Sequence, residues 1–385
     1  MIKIAHFGTF DVDNYGDLLF PHIAEFRLPN HDWEHISPTD NITVFKDGKP
    51  IISFDKAKNR TYNAVVVGGG NILHLLPNII TVYNNKKGFA YANLWVGAAK
   101  IAIKQKIPYL FNAPGISKNF KGYLQKKIAT KTFSNSNYVA FREGFSRQIA
   151  INIAKVNLNF KNDIAVVPDS AFDIDKLWPL DAKKDSNYIT VNLNSRYHSP
   201  INDTAKNLDA LSEKLKMPIK FIIIGDCHGD RAFTKKVSKL METKHDILVS
   251  DGLKKIAHVI GNGNYFFGSS MHGFITALSY GVPAFLVLRN KPLHKFKGLL
   301  ELTELKNLVI CDSFYVALNS IKEPAILTKN VKLKIESALN RHWENINKII
   351  QNNEKPGFSL YILKFEKLLS LSNKFNRVLN KFKQI

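Results

Sequence analysis

The sequence predicts an α/β protein of two doubly wound domains, spanning 1–175 and 187–323, with C-terminal helices over 324–385. Three observations predict it. Short, wholly apolar runs end again and again in glycine or asparagine loops, the pattern of parallel strands buried on both faces. These runs alternate with helical stretches such as Leu94–Lys104 and Gly144–Ala154. The whole series then repeats after a polar, charged segment between Phe172 and Asn187, which reads as the linker.

Composition narrows the function. A chain of 385 residues with 45% hydrophobic content can bury sizeable cores, which excludes a disordered protein. Two cysteines, Cys227 and Cys311, are too few for a disulfide framework or a zinc cluster and suit a reducing compartment. The N-terminus enters a strand without the apolar stretch of a signal peptide, and no run approaches the ~20 residues needed to cross a bilayer. A cytoplasmic protein is expected. The formal net charge of +22 asks for an anionic partner. No helix-turn-helix, RNP-like strand or zinc finger supports nucleic acid, so none is expected as a partner. Anionic lipid or an anionic substrate explains the charge equally well, and a Lys- and Asn-rich composition is the plain alternative.

In chain order, Ile2–Phe7 is a strand whose following loop, Gly8–Asp17, opens a helix at Leu18. The glycine spacing is not that of a dinucleotide fingerprint. Asn14, Gly16 and Asp17 suit a turn and a helix cap, or a substrate-facing loop at the carboxyl end of a parallel strand. Asp11 and Asp13 lack a third ligand and make a weak metal site. The strand Ala64–Val67 runs into Gly68-Gly69-Gly70-Asn71, where a ligand or a neighbouring element approaches the backbone closely. Tyr109–Phe111, Tyr138–Phe141 and Ala165–Val167 complete the first series. In the second, strands are read at Tyr188–Leu193, Lys220–Ile224, Asp246–Val249 and Asn307–Ile310, and helices at Asn207–Leu215 and Leu253–Ile260. Cys227 and His228 read as loop residues.

The stretch Tyr265–Leu288 carries the chemistry. It predicts a strand, a tight turn, a helix over Gly273–Tyr280, a left-handed Gly281 and a stop at Pro283. Ser269 and Ser270 can cap that helix, and His272 sits at its N-terminus, where free N–H groups and the macrodipole favour an anion. Ordinary capping beside a surface histidine is the plainer reading of these residues alone. From Pro324 onward two helices are expected, Val331–Gln351 and Ser359–Lys383, broken at Pro356-Gly357. On the second, Tyr361, Phe365, Leu368, Leu369, Phe375, Leu379 and Phe382 form an apolar face opposite Lys364, Lys367, Lys374, Arg377, Lys381 and Lys383. A helix packed back across both domains is the plainer reading. The sharper one is an interfacial membrane helix that would place the protein peripherally on the inner face of a membrane.

Two Rossmann-like halves, a linker and a crossing helix resemble the GT-B architecture. Across most of residues 1–310 the motifs resemble the polysaccharide pyruvyl transferase family. The matching pieces are Asn14-Tyr15-Gly16-Asp17, Gly68-Gly69-Gly70-Asn71, Arg142-Glu143, Pro168-Asp169 and, most specific, Ser269-Ser270-Met271-His272-Gly273 with Ala277 and Gly281-Val282-Pro283. The resemblance implies transfer of a carboxyethylidene group from phosphoenolpyruvate onto two hydroxyls of one sugar, forming a cyclic ketal in a surface polysaccharide or its lipid-linked precursor. Where family members carry an Arg, this chain has Ser270, and the family Leu is Met271. Arg142 or Arg196 would then supply the positive charge, with Lys291 and Lys295 as further candidates. Ser269, Ser270 and Gly273 fall on the donor side, and Asn14, Gly16, Gly69, Gly70 and Asn71 in acceptor-side loops. The reaction needs a proton donor for the methylene carbon, a group to take hydroxyl protons and donors for departing phosphate, but no metal or cofactor. Histidine suits the proton work near neutral pH, so His272 is the candidate acid or phosphate binder and Asp17 the candidate on the acceptor side. A sugar-nucleotide glycosyltransferase and a non-catalytic polysaccharide-assembly protein are the alternatives.

Overall fold

Continuous apolar runs do become parallel strands. The computed structural model describes residues 1–385 except 79–80, 82, 86–87, 155–163, 182–185, 199, 249–250, 290–293, 306–309 and 373–385, and the side chains of 294–295. The first sheet comprises β1 (Lys3–Phe7), β2 (Asp32–Ser37), β3 (Ile51–Ser53), β4 (Ala64–Gly68), β5 (Tyr109–Asn112), β6 (Tyr138–Phe141) and β7 (Ala165–Val166). All its pairs are parallel, in the order β3-β2-β1-β4-β5-β6-β7. The second comprises β8 (Ile189–Asn192), β9 (Ile219–Ile222), β10 (His245–Leu248), β11 (Tyr265–Gly268), β12 (Ala284–Val287) and β13 (Ile310–Cys311), again parallel, in the order β10-β9-β8-β11-β12-β13. Strand order reverses beside β1 and β4 in one sheet and beside β8 and β11 in the other. Ligands bind outside the carboxyl ends of strands at such points.

The strand β4, all buried, illustrates why the sequence folds this way: Ala64-Val65-Val66-Val67 sits in register with β1, Ile4 opposite Ala64 and Phe7 opposite Val67. Other elements are not apolar runs. Strand β2 reads Asp-Trp-Glu-His-Ile-Ser, yet its inner half is buried because its polar atoms are satisfied. His35 Nδ1 lies 3.0 Å from His6 Nδ1, and Ser37 Oγ donates to Gly8 O at 2.9 Å. The stretch expected as a helix from Leu94 starts earlier, as Ala90–Ala92, a π-turn Asn93–Gly97 and Ala98–Gln105. The helix read from Asn207 begins at Ile201, and Gly122–Ser134, Asp230–Ser238, His294–Leu302 and Phe314–Asn319 are helices that periodicity did not reveal. Of the strand expected at 307–310, Ile310 is described, and it continues to Cys311.

The start of the expected linker is not a bare connection. Ser170–Asp173 and Ile174–Leu177 are short helices whose Phe172 and Ile174 are buried. They lie against the Met271–Ser279 helix, whose Ser279 Oγ donates to Phe172 O at 3.3 Å. One apolar cluster therefore runs from the Tyr15–Arg27 helix through this segment to the second sheet. The Lys329–Gln351 helix joins it through Val331, Ile335, Leu339, Trp343, Ile346 and Ile350, one stripe at helical spacing. Its His342 reaches into the first domain, Nδ1 2.9 Å from Tyr138 Oη and Nε2 2.9 Å from Asn112 Oδ1.

Beyond Gly357 the chain packs on the first sheet's outer helices. Ile362, Phe365 and Leu369 are buried in that domain's core, so the apolar face read for a membrane is spent inside the protein this far. Phe375, Leu379 and Phe382, with Lys374, Arg377, Lys381 and Lys383, lie outside the described residues. Among the described residues no helix is long and apolar enough to cross a membrane.

Candidate active site

The two carboxyl ends face each other across a cleft of about 270 Å³. One wall begins with the loop after β1. Asn14 caps the Tyr15–Arg27 helix, its Oδ1 accepting from Gly16 N at 3.1 Å. The same loop docks on the second domain: Tyr15 N donates to Ile224 O at 2.8 Å, Asn14 bridges to Gly225, and Tyr15 Oη lies 3.0 Å from Thr276 Oγ1.

The other wall begins where β11 ends. Ser270 is the N-cap, its Oγ accepting from Gly273 N at 3.1 Å, so the helix starts at Met271, two residues before the expected Gly273. Gly281 takes φ +72° with open space around it, as a left-handed helix terminator should. His272 is thereby held in the first helical turn, its side chain 12% exposed. A Cβ on Gly16 would stand 1.8 Å from His272 Nδ1, and the Phe20 ring meets the imidazole edge-on at 5.6 Å. The first domain's helix thus seats the second domain's histidine.

His272 Nε2 lies 3.6 Å from Asp169 Oδ2 with no closer partner. Asp169 Oδ2 also accepts from Arg142 Nη1 at 2.9 Å, and its Oδ1 from Ala171 N at 3.0 Å. Burial alone would push this carboxyl up, but the pull of His272 and Arg142 outweighs it and holds it well below the usual carboxylate range. Arg142 is buried; burial works against its charge, and Asp169 and Glu143 restore it and drive its pKa up. Glu143 Oε2 stands 3.4 Å from Arg142 Nε. Arg142 therefore reaches the cleft with its charge already balanced by two carboxylates. Arg196, on the facing wall, is exposed, its loop fixed by Asn194 Oδ1 accepting from Arg196 N at 3.0 Å. Lys291 and the Lys295 side chain lie outside the described residues.

Of the residues singled out in the sequence, Asn14, Asp17, Gly70, Asn71, Arg142, Arg196, Ser269, Ser270 and His272 line this one cleft. Three stand behind its walls. Gly16 lies under His272, as described. Gly69 makes room for Phe20, whose ring a Cβ would meet at 2.2 Å, and Gly273 for Ile224 and Phe266, both at 2.8 Å. Their glycines answer to packing between elements. Gly70, at φ +70°, is the one that borders Asp17, whose Oδ1 a Cβ there would meet at 2.9 Å.

Asp11 is no metal ligand either: Thr39 N and Oγ1 donate to its Oδ2 at 2.8 and 2.5 Å, and Tyr83 Oη to its Oδ1 at 2.6 Å. Asp13 Oδ1 accepts from Val44 N at 2.8 Å. Cys227 and His228 border the cleft, but no group of three metal-ligating side chains occurs among the described residues. Sequence reasoning passed over Asp169 and Asp230 as site residues. Asp230 accepts from Asn192 Nδ2 at 3.0 Å, Asn194 Nδ2 at 2.8 Å and Gly225 N at 3.0 Å, and burial pushes its pKa up to about 6. Its only local signal was a helix start after Gly229.

Two parallel-sheet domains facing across a cleft at their carboxyl ends, spanned by a late helix, define a GT-B-like protein. More specifically, the chain belongs to the polysaccharide pyruvyl transferase family, whose sequence model matches residues 14–292. Among solved structures it is similar to UDP-GlcNAc 2-epimerase from Methanocaldococcus jannaschii (TM-score 0.57, 15% identity, covering 91% of this chain and 100% of that one). It is also similar to UDP-GlcNAc 2-epimerase from Neisseria meningitidis bound to UDP-GlcNAc (TM-score 0.53, 10% identity, 92% and 100%). The S. aureus MnaA–UDP structure is a further match (TM-score 0.53, 11% identity, 93% and 100%). At these identities the likeness is one of fold. No curated protein sequence matches the chain.

Proposed function

We propose that the cleft transfers a pyruvyl group from phosphoenolpyruvate to a saccharide of a surface polysaccharide, or to its lipid-linked precursor, as a cyclic ketal. The observation that carries the reading is His272 in the first turn of a capped helix, 3.6 Å from a carboxylate kept ionised, at the carboxyl ends of both sheets. The Asp169 carboxylate stands beside the Nε2 edge of the imidazole. His272 then delivers a proton to the methylene carbon of phosphoenolpyruvate, making the central carbon electrophilic. One sugar hydroxyl adds to that carbon and loses its proton, with Asp17 across the cleft as acceptor. The second hydroxyl displaces phosphate, which leaves with the remaining proton. The balance is one phosphoenolpyruvate and one diol giving one ketal and one phosphate.

Arg196 and the hydroxyls of Ser269 and Ser270 face the departing phosphate in this reading. The test is incubation with labelled phosphoenolpyruvate and a panel of lipid-linked and nucleotide-linked sugars. Phosphate release with label retained on the sugar is expected. Thermal stabilisation by a sugar nucleotide with none by phosphoenolpyruvate would overturn the reading in favour of glycosyl transfer.

A further inference from the structure

The segment 360–372 has two faces, and only one is used. Inward, Ile362, Phe365 and Leu369 fill the first domain's core. Outward, at spacings of four, three and four, stand Leu360, Lys364, Lys367 and Leu371, all exposed; Leu360 is 57% and Leu371 51% accessible. Just before them Phe358 is 69% exposed. Tyr361 lies beside Tyr123, itself 67% exposed, and Lys127 Nζ lies 5.9 Å from the Tyr361 ring. One continuous surface thus joins the late segment to the start of the Gly122–Ser134 helix.

We infer that this surface docks on an anionic lipid bilayer; the inference rests on the proposed reading, in which the acceptor is carried on a membrane lipid. Apolar and aromatic side chains are interspersed with lysines, so there is no unbroken apolar patch for a protein partner to bury. At a bilayer the same mixture fits: leucine and phenylalanine enter the headgroup boundary, tyrosine sits at its level, and lysine stems extend to phosphate. The surrounding charge agrees. Lys118, Lys121, Lys126 and Lys355 are exposed nearby, while of the acidic neighbours Glu366 is already paired with Lys100 at 2.9 Å, leaving Glu354.

The experiment is co-sedimentation of the full chain with vesicles of phosphatidylcholine alone or mixed with phosphatidylglycerol. Wild type should bind the anionic vesicles, with affinity falling as salt is raised, and leave the neutral ones in solution. K364A/K367A should weaken binding on the order of tenfold or more, since each lysine near an anionic surface contributes separately. F358S/L360S should weaken it at all salt concentrations. Wild type that ignores anionic vesicles, or binding unchanged in both double variants, overturns the inference. The same proteins are heated with and without phosphoenolpyruvate. Stabilisation retained alongside lost vesicle binding keeps the two readings separate. Vesicle binding with no response to phosphoenolpyruvate would sink the proposed reaction and leave the surface standing.

Discussion

Substituting Gly16 by Ala tests the seating of His272 without touching a titratable group. Gly16 lies in the second position of its helix with ordinary helical backbone, so alanine is favoured there by up to about 1 kcal/mol. Its Cβ, however, would sit 1.8 Å from His272 Nδ1 and 2.4 Å from Cγ, against the ~3.5 Å of a comfortable contact. The imidazole must therefore withdraw by more than about 1.5 Å. Phe20 closes one side of the ring, so it withdraws into the cleft and gives up the 3.6 Å approach to Asp169. A misplacement of ~1 Å can cost ~10²-fold in rate, so phosphate release should fall by at least about that factor. The melting temperature should stay within a few degrees, because the moving group is the end of one side chain. H272A serves as the limit, with a loss of about 10²–10⁴. G16A that turns over at the wild-type rate would refute the argument that His272 acts from this position.

Asp169→Ala leaves the buried Arg142 short of its closest carboxylate and should cost about 3–5 kcal/mol by denaturant titration, whereas D169N should fold and lose rate, since it keeps an acceptor but not the charge. Asp47→Ala removes a carboxylate that accepts from Leu253 N at 2.7 Å and Lys254 N at 3.0 Å, a cap supplied by the other domain; about 1–2 kcal/mol should be lost, with faster limited proteolysis at the seam. Asp230, with its folded pKa raised to about 6, contributes stability that is fully present below its unfolded value and is lost as pH rises through about 6. Wild type should therefore lose up to about 3 kcal/mol relative to D230N between about pH 4 and about pH 7; a pH-independent difference would show that the carboxyl is not strained by burial.

What was legible in the sequence is what local chemistry decides. β4 and β11 were visible because strands buried on both faces leave no polar residue to interrupt them, and the Met271–Ser279 helix because Ser270, Gly281 and Pro283 mark its ends. β2 was illegible: its buried polar atoms are satisfied by His6, Glu25, Gly8 and Phe10, all on other elements or loops. The site divides in the same way. His272 and Asp17 stand at helix starts that can be read directly, but Asp169 follows a two-residue strand, and its partners Arg142 and His272 come from other elements. Likewise, nothing local distinguishes Gly69, which clears Phe20, from Gly70, which borders the cleft.

The late segment that fills the first domain's core also sets the order in which the protein can be completed as it is made. Ile362, Phe365 and Leu369 emerge from the ribosome long after the sheet they cover, and Ile224, whose carbonyl accepts from Tyr15 N, emerges only in the second half. Domains generally fold as units from the N-terminal side during synthesis. Here the first domain must wait with an apolar surface uncovered and its first helix undocked until the second is in place. The domain that begins folding first is the last to be finished, and a chain halted between the two would expose the surface that aggregates.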